Sequence, residues 1–499
     1  MAKEPRRPDF TVAIVGAGFG GIASAIELRR SGIEDIVLLD RAPRVGGTWQ
    51  VNTYPGVAVD VPSLLYSFSH TTPRKWSNQF ADGAEVQDYA EQLVDEFDLR
   101  SKLRLETEVE RCDWDPSANV WTVMTNSGEI TARHLIAAFG SIETPKLPDI
   151  DGLAQFGGKI VHTARWDHDY SYEGKRIGII GTGASALQVI PEMAKIAAHV
   201  TVFQRTPIWV MPKLDFAVGP GLKRAIDHVP GLRKAARGIG FAAMDYGLLN
   251  TVLHYRSFPY PTHALERALR IYYRTQVPDP VLREKLTPTY NFFCKRPSMS
   301  REYLKTFTED HVDLVTEPIA KVIGNRVVTA DGVEREVDVL VTATGFKIME
   351  PGATPAFPVM GRTGQGLTEY WAANRFQAYQ GVSVPGFPNL FLVHGPYGLA
   401  GSSALTSMED TARHMVRVIR EAEDRGHAVA EIRQQPHDEY FQDCLRRTPD
   451  TVLFSGNCAG SNTYYINSHG DVALVRLQFS GRARREHRSF PIDNYRFSD

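Results

Sequence analysis

The sequence is short of cysteine, and the few cysteines it has are far apart. Its 499 residues contain four, namely Cys112, Cys294, Cys444 and Cys458. They form neither a CxxC redox pair nor the spacing of a zinc site, so we expect no metal centre. The spacing also argues against the dithiol–disulfide reductases, which need a close cysteine pair. Such scattered cysteines are typical of a reducing compartment, and we expect the cytoplasm.

Long apolar runs and an excess of either charge are also missing. No stretch of 18 apolar residues occurs, so we expect no transmembrane helix, and no apolar segment typical of a signal peptide precedes Thr11. The 56 basic and 58 acidic residues leave a formal charge of −2, without a basic stripe that would indicate a nucleic-acid partner. With 43% apolar and 23% charged residues, the composition is that of an ordinary globular protein.

The sequence does contain a glycine-rich turn close to its N-terminus. An apolar, β-branched run predicts a strand before the turn, and a helical pattern follows it. Gly16 permits the tight turn, Gly18 lets the backbone approach a pyrophosphate, and Gly21 lets the helix pack closely on the strand. The pyrophosphate would lie at the helix N-terminus, where free N–H groups favour anions.

A second glycine-rich turn repeats this arrangement in the middle of the chain. Gly181, Thr182 and Gly183 follow another apolar run, and a second helical pattern begins directly after them. Ala186 takes the place of the third glycine, which the motif allows. The chain therefore has two predicted dinucleotide sites, and this indicates that electrons pass from one nucleotide to the other.

The two turns differ in the residue that ends the next strand. Asp40 stands 24 residues after Gly16, and Arg205 stands 24 residues after Gly181. An acid at this position binds ribose hydroxyls but repels a 2′-phosphate, whereas an arginine binds the phosphate. We therefore expect FAD at the first turn and NADPH, rather than NADH, at the second.

These motifs predict an α/β fold with two Rossmann-like dinucleotide-binding domains. The FAD domain is expected over residues 1–148 and is completed by residues 337–499. The NADPH domain is expected over residues 149–336, with a helical insert over about 212–291. Residues 239–253 of this insert are apolar enough to lie on a membrane surface. Because Asp245 interrupts them, we expect a core or interdomain helix there.

A pattern between the two turns is specific to one enzyme family. Phe156, Gly158, His162, Trp166 and Asp167 match FxGxxxHxxxW[P/D]. This is the fingerprint of type I Baeyer–Villiger monooxygenases, which are class B flavoprotein monooxygenases, and the chain resembles that family over nearly its whole length. In relatives the fingerprint lies between domains and couples domain motion to turnover. The resemblance therefore implies that His162 is a structural contact rather than a proton donor.

The resemblance also implies roles for single residues. Arg296 corresponds to the catalytic cation, Asp60 to the carboxylate that orients it, and Lys295 to a ligand of the NADPH 2′-phosphate beside Arg205. Tyr464 stands where relatives often carry a tryptophan that approaches the nicotinamide. The remaining residues assigned to the two cofactors are Arg41, Gly47, Thr48, Trp49, Val109, Ser185, Gln188 and Thr206, and Asp60 is counted among the cofactor contacts as well.

The activity that the resemblance implies is the insertion of one oxygen atom next to a ketone carbonyl, which gives an ester or a lactone. NADPH reduces FAD, O2 adds to the reduced flavin at C4a, and the resulting peroxide attacks the ketone. A fixed cation at position 296 would keep that peroxide anionic. Two alternatives stay open. One is oxygenation of sulfur or nitrogen by a hydroperoxyflavin on the same fold, and the other is an uncoupled NADPH oxidase or redox-sensing flavoprotein.

Overall fold

Two sheets, each with a glycine-rich turn at the end of a central strand, organise the chain. A computed structural model describes residues 7–71, 76–140, 142, 144–229, 231–350, 355–401 and 403–499, apart from the side chains of residues 222, 226 and 227. The sheets contain parallel strands with helices on their faces. The predicted α/β class is therefore confirmed.

The larger sheet has eight strands. Phe10–Val15 pairs in parallel with Ile36–Leu39 on one side and with Gly128–Ala137 on the other. Leu390–Leu392, which comes from late in the chain, pairs with the carboxyl end of Gly128–Ala137. Helices Phe19–Arg30, Gly83–Glu96 and Ala404–Arg425 bury apolar side chains against this sheet. Its other strands are Leu103–Arg104, Val109–Asp115, Val120–Thr125 and Val359–Met360.

The second sheet has five parallel strands. Its central strand is Arg176–Ile180, and the helix Ala184–Ala194 follows directly after the turn. Strand Val339–Thr342 pairs with strands on both sides in this sheet, so a boundary at 336/337 would separate it from its neighbours. The remaining division into domains stays a prediction. The order of the strands is Val312–Val315, His199–Phe203, Arg176–Ile180, Val339–Thr342 and Lys159–His162.

A helical insert lies between two short strands, Val210–Pro212 and Ser298–Ser300, which pair with each other. Its helical segments are Pro220–His228, Leu232–Ala242, the π-helix Ala243–Leu249, Asn250–Leu253, Tyr260–Gln276 and Pro280–Leu286. In the part of the chain that the structure describes, no helix is long and apolar enough to cross a membrane.

The apolar segment 239–253, for which the sequence predicts a core or interdomain helix, is exposed in part. Ile239 and Tyr246 are 72% and 68% exposed, whereas Val252 and Leu253 are buried. Asp245 is buried, and its carboxylate accepts hydrogen bonds of 2.9 Å from both the backbone N and the Oγ of Ser480, which offset the cost of burial. The aspartate therefore ties the insert to a segment near the C-terminus, and only the end of the segment belongs to the core.

The other elements are short or lie at the edges of the two sheets. A separate antiparallel sheet consists of Ile319–Ile323, Arg326–Thr329 and Glu334–Glu336. Val429–Ile432 pairs antiparallel with Tyr495–Ser498, and Leu399–Ala400 pairs in parallel with Val475–Arg476. The remaining helices are Thr48–Val51, Tyr303–Thr306, Leu367–Asn374, Gln434–Arg447, Val452–Ser455 and Ser480–Ser489. Single 3₁₀ turns cover Arg100–Lys102, Leu153–Gln155, Thr163–Arg165, Thr448–Asp450 and Ile492–Asn494.

Candidate active site

A cavity of about 1790 Å³ is lined by residues from the carboxyl ends of both sheets. Both glycine-rich turns line it, as do the loop before Asp60 and the segment around Arg296. Most residues assigned to cofactors from the sequence therefore share one cavity. The predicted site residues that line this cavity are Gly16, Gly18, Asp40, Arg41, Gly47, Thr48, Trp49, Asp60, Val109, Gly181, Thr182, Gly183, Ser185, Gln188, Arg205, Thr206, Lys295 and Arg296.

The first turn has the backbone geometry that its glycines predict. Gly16 has a φ of 107°, and a Cβ there would lie 2.4 Å from the carbonyl oxygen of Ala138. A Cβ on Gly21 would lie 1.8 Å from the carbonyl oxygen of Gly16, so Gly21 packs the helix on the turn and does not line the cavity. The Asp40 carboxylate accepts a 2.7 Å hydrogen bond from the backbone N of Ala17, which places it beside the turn.

The second turn has the same backbone geometry, and its third small residue is again buried. Gly181 has a φ of 113°, and the Oγ1 of Thr182 donates a 2.7 Å hydrogen bond to the carbonyl oxygen of Thr206. A Cβ on Gly183 would meet no atom within 4 Å, so the backbone there is open to a ligand. Ala186 was assigned to the cofactor from the sequence, but it is fully buried and does not line the cavity. Its small side chain packs in the core of the second sheet.

Two cations, Arg205 and Lys295, line the cavity near the second turn, and the charge of one acts on the other. Burial, and secondly the charge of Arg205, lower the pKa of Lys295 to about 8. Among the described residues, no carboxylate forms an ion pair with either side chain. Neighbouring cations without a protein counterion repel each other, and an anionic ligand relieves that repulsion. The pair therefore has the positive charge that a phosphate group requires.

Arg296 and Asp60 form a bidentate ion pair at the wall of the cavity. The guanidinium Nη2 donates to Oδ2 and Oδ1 of Asp60 at 2.7 Å and 2.9 Å, and Nε donates to Oδ2 at 3.1 Å. Asp60 is the main cause that raises the pKa of Arg296 well above its usual range. The two side chains keep 42% and 30% of their surface exposed, and both line the cavity. The fixed cation is therefore open to a bound ligand.

Aromatic side chains surround this ion pair. The indole Nε1 of Trp49 donates a 3.1 Å hydrogen bond to the hydroxyl of Tyr66, and both residues line the cavity. Tyr464 and Tyr465 lie with their ring centroids 4.8 Å apart, and burial raises the pKa of Tyr465 well above its usual range. Tyr66 was missed by the sequence reasoning, because no motif marks it and it reaches the site only through folding of the loop.

The helix after the second turn also contacts the loop that leads to Asp60. The amide of Gln188 accepts a 2.9 Å hydrogen bond from the hydroxyl of Tyr54 and donates one of 2.9 Å to the carbonyl oxygen of Ala58. A Cβ on Gly56, which has a φ of 82°, would lie 2.7 Å from the backbone oxygen of Gln188. The loop therefore lies directly against this helix.

The fingerprint residues lie outside the cavity. Phe156 and Trp166 are buried, and Trp166 stacks on Tyr172 with 4.8 Å between centroids. A Cβ on Gly158 would lie 2.3 Å from the carbonyl oxygen of Asp338. His162 ends a strand, and its Nδ1 accepts a 3.0 Å hydrogen bond from the backbone N of Ala164. None of the four lines the cavity within the described part of the chain, which agrees with a structural rather than a catalytic role.

Two of the four cysteines are joined to each other, although no CxxC motif marks them in the sequence. Cys294 and Cys458 form a disulfide although they are 164 residues apart in sequence. The bond joins the segment that carries Lys295 and Arg296 to the segment that leads to Tyr464. Cys112 and Cys444 are free and buried. Motif spacing does not reveal a pair of this kind, because only the folded chain brings its two segments together.

Comparisons with known proteins agree with this arrangement. The family model described as pyridine nucleotide-disulphide oxidoreductase matches residues 13–231. A Baeyer–Villiger monooxygenase of Streptomyces coelicolor is 36% identical over 487 residues, which cover 97% of this chain and 92% of that protein. A Baeyer–Villiger monooxygenase of Pseudomonas aeruginosa is 34% identical, with coverages of 97% and 90%.

The solved structures include similar molecules as well. The cyclohexanone monooxygenase from Rhodococcus sp. Phi1 bound to NADP+ superimposes with a TM-score of 0.88 at 27% identity. The match covers 99% of this chain and 100% of that one. Because the curated relatives exceed 30% identity over nearly the whole length of both proteins, the chain belongs to the Baeyer–Villiger monooxygenase family.

Proposed function

We propose that this protein is an FAD-containing, NADPH- and O2-dependent monooxygenase that inserts one oxygen atom next to a ketone carbonyl and forms an ester or a lactone. The observation that carries the proposal is the bidentate Arg296–Asp60 pair, which lies in the wall of a cavity that both glycine-rich turns share. The family to which the chain belongs supports the same reaction.

The residues of the first turn fit FAD. Free N–H groups at the start of helix Phe19–Arg30 favour a pyrophosphate, and Gly18 leaves the backbone open to it. Asp40 lies beside the turn, where its carboxylate would accept hydrogen bonds from the ribose hydroxyls of FAD. When bound, FAD accepts electrons from NADPH and activates O2 for the transfer of one oxygen atom.

The residues of the second turn fit NADPH. Gly183 leaves room for the pyrophosphate, and the neighbouring cations Arg205 and Lys295 have the charge that a 2′-phosphate needs. NADH lacks this phosphate and cannot relieve the repulsion between the two cations. The discrimination between the coenzymes is therefore assigned to these two side chains.

Arg296 supplies the fixed positive charge at the reacting centre. Negative charge develops on the carbonyl oxygen of a ketone when a nucleophile adds to it, and a preorganised cation stabilises that charge more in the transition state than in the ground state. Asp60 holds the guanidinium by three hydrogen bonds, so little reorganisation is needed during the reaction. Because the pKa of Arg296 is raised, the residue stays protonated at every working pH.

The proposal is tested by replacing the two members of the ion pair. Arg296→Ala should lower the rate of ester formation by about 100-fold or more while FAD stays bound, since one preorganised charge contact contributes about that much. Asp60→Asn should have a smaller effect, about tenfold, because Asp60 acts by orienting Arg296.

A matched control is available on the surface. Arg326→Ala removes an exposed arginine that pairs with Glu334 at 2.9 Å, and it should leave the rate unchanged. Product mass measures the reaction, and flavin absorbance per protein measures folding. If Arg296→Ala converts a good ketone at nearly the wild-type rate, the assigned mechanism is wrong.

The choice between ketone and sulfide substrates needs a direct comparison. A panel of cyclic and linear ketones and of sulfides, with products identified by mass, should show esters or lactones as the main products. Sulfoxides or N-oxides alone would favour the alternative chemistry. Release of about one H2O2 per NADPH, with no rise in rate when a substrate is added, would identify an uncoupled oxidase.

A cytoplasmic location is part of the proposal. It rests on the need for NADPH, which is regenerated in that compartment. The disulfide between Cys294 and Cys458 is the observation against it, since disulfides are rare where thiols are kept reduced. The thiol state of this pair in protein taken directly from cells decides the point.

A further inference from the structure

We propose that the imidazole of His394 binds the flavin half of FAD and helps to retain the cofactor. The inference rests on the proposed function, because it needs FAD at the first turn. His394 follows strand Leu390–Leu392 and lines the cavity. Neither the motifs nor the family resemblance assigned it a role.

The order of the strands places His394 relative to the first turn. At the carboxyl edge of the larger sheet, Leu392 pairs with Ala137, and Ala137 pairs with Val15, which precedes Gly16. Since neighbouring strands are about 4.8 Å apart, the end of strand Leu390–Leu392 lies about 10 Å from the end of the first strand. This distance is within the length of one bound dinucleotide.

The same order indicates which half of FAD passes His394. Val15 pairs with Leu39 on the side opposite to Ala137, so Asp40 and His394 lie on opposite sides of the first turn. Asp40 is the residue that fits the ribose of the adenosine half, and the pyrophosphate fits the turn itself. The ribityl chain and the ring system therefore extend towards the side of His394.

The local structure holds His394 at the cavity. Its φ is 53°, a conformation that residues other than glycine adopt only where the surrounding structure imposes it. The preceding residue, Val393, packs closely on Gly20 and so fixes this position. Its Cγ1 lies only 2.8 Å from the point that a Cβ on Gly20 would occupy. Gly20 belongs to the first turn of helix Phe19–Arg30. The histidine is thus attached to the cofactor turn by packing.

The imidazole has hydrogen-bonding capacity that the protein does not use. No hydrogen bond joins either ring nitrogen to a described residue. Nε2 is closed off from solvent, and therefore from the cavity, so Nδ1 is the ring nitrogen that would meet a bound ligand. Burial lowers the pKa of His394 to about 4, so the ring is neutral and carries one N–H donor and one acceptor. A polar group left without a partner costs stability. The hydroxyl and carbonyl oxygens of the flavin half would accept this N–H.

The test compares two substitutions of nearly equal shape. His394→Leu removes the nitrogen atoms, whereas His394→Asn keeps a donor near the position of Nδ1. The rate of FAD release from the holoenzyme is measured by the rise of flavin fluorescence on dilution. We expect release about tenfold faster from the Leu variant and within about threefold of wild type from the Asn variant.

ADP, which contains only the adenosine half, shows which half is bound. The ADP concentration that blocks rebinding of FAD should be unchanged in His394→Leu and should rise in Asp40→Asn. His394→Phe keeps a ring without nitrogen and replaces the Leu variant if that variant does not fold. The inference would be overturned if both apolar variants released FAD at the wild-type rate, or if the Asn variant released it as fast as the Leu variant. A loss of ADP binding in His394→Leu in parallel with the loss of FAD would overturn it too. If the wild-type protein holds FAD but makes no ester, only the proposed function fails.

Discussion

The pH dependence of coenzyme choice tests the cationic pair at the second turn. The pKa of Lys295 is lowered to about 8, first by burial and then by Arg205. Lys295 is therefore charged below pH 8 and loses its charge as the pH rises above it. Because NADPH has a 2′-phosphate and NADH has none, the ratio of kcat/KM for NADPH to that for NADH should fall above about pH 8.

The size of the fall follows from the fraction of charged lysine. One pH unit above the pKa, about one tenth of the side chains carry the charge, so the ratio at pH 9 should be about tenfold lower than at pH 7. The fall is bounded by the contribution of a charge-assisted contact, about 1.5–3 kcal/mol, which corresponds to about ten- to a hundredfold. Arg205→Gln should move the fall to higher pH, because it removes a charge that lowers the pKa of Lys295.

The assay uses initial rates of NADPH and NADH oxidation with a good ketone, at constant ionic strength, from about pH 6.5 to about pH 9.5. Lys295→Met should give a low ratio that does not change with pH, and Arg326→Gln serves as the surface control. Taking the ratio cancels any titration that affects both coenzymes. A wild-type ratio that stays constant over this range, or a fall that persists in Lys295→Met, would refute the assignment of the 2′-phosphate to Lys295.

Two further predictions concern stability. Gly21→Ala should prevent FAD retention and lower the unfolding temperature, because the added Cβ would lie 1.8 Å from a backbone oxygen. Gly183→Ala is the control: the space there is open, so its unfolding temperature should stay within about 1 °C of the wild-type value. The disulfide closes a loop across 164 residues, so reduction should lower the free energy of unfolding by up to about 5 kcal/mol. The denaturant midpoint measured with and without a thiol reports this loss of stability. The midpoint of Cys294→Ser, which cannot form the bond, should not change with the thiol. A peptide map without a link between residues 294 and 458 would contradict the prediction.

The sequence predicts the parts of the site that depend on local backbone geometry. Gly16 and Gly181 have φ values of 107° and 113°, which other residues rarely adopt, so glycine marks both turns. The apolar runs before them are buried strands, as predicted. The second helix begins directly after its turn, as predicted, and ends at Ala194. There the backbone of Ile196 and Ala198 bonds instead to the loop at Gly174 and Lys175.

Contacts between distant segments were not predictable in this way. Tyr66 and His394 carry no motif, and they reach the cavity because the loop and the late strand fold onto the first sheet. The disulfide between Cys294 and Cys458 depends on two segments that only tertiary packing brings together. The exposure of Ile239 was also missed, because apolar composition alone does not tell which face of the insert packs on the protein.

The contact between Gln188 and the loop Tyr54–Ala58 makes the two halves of the reaction site thermodynamically dependent on each other. Gln188 belongs to the helix that begins at the NADPH turn, and the loop ends two residues before Asp60. A shift of that helix either breaks two hydrogen bonds or carries the loop, and with it the carboxylate that holds Arg296. By linkage, any effect of the coenzyme on the position of Asp60 is matched by an equal effect of that position on coenzyme affinity. We therefore expect a substitution of Asp60, although it belongs to the FAD side, to change the affinity for NADPH as well.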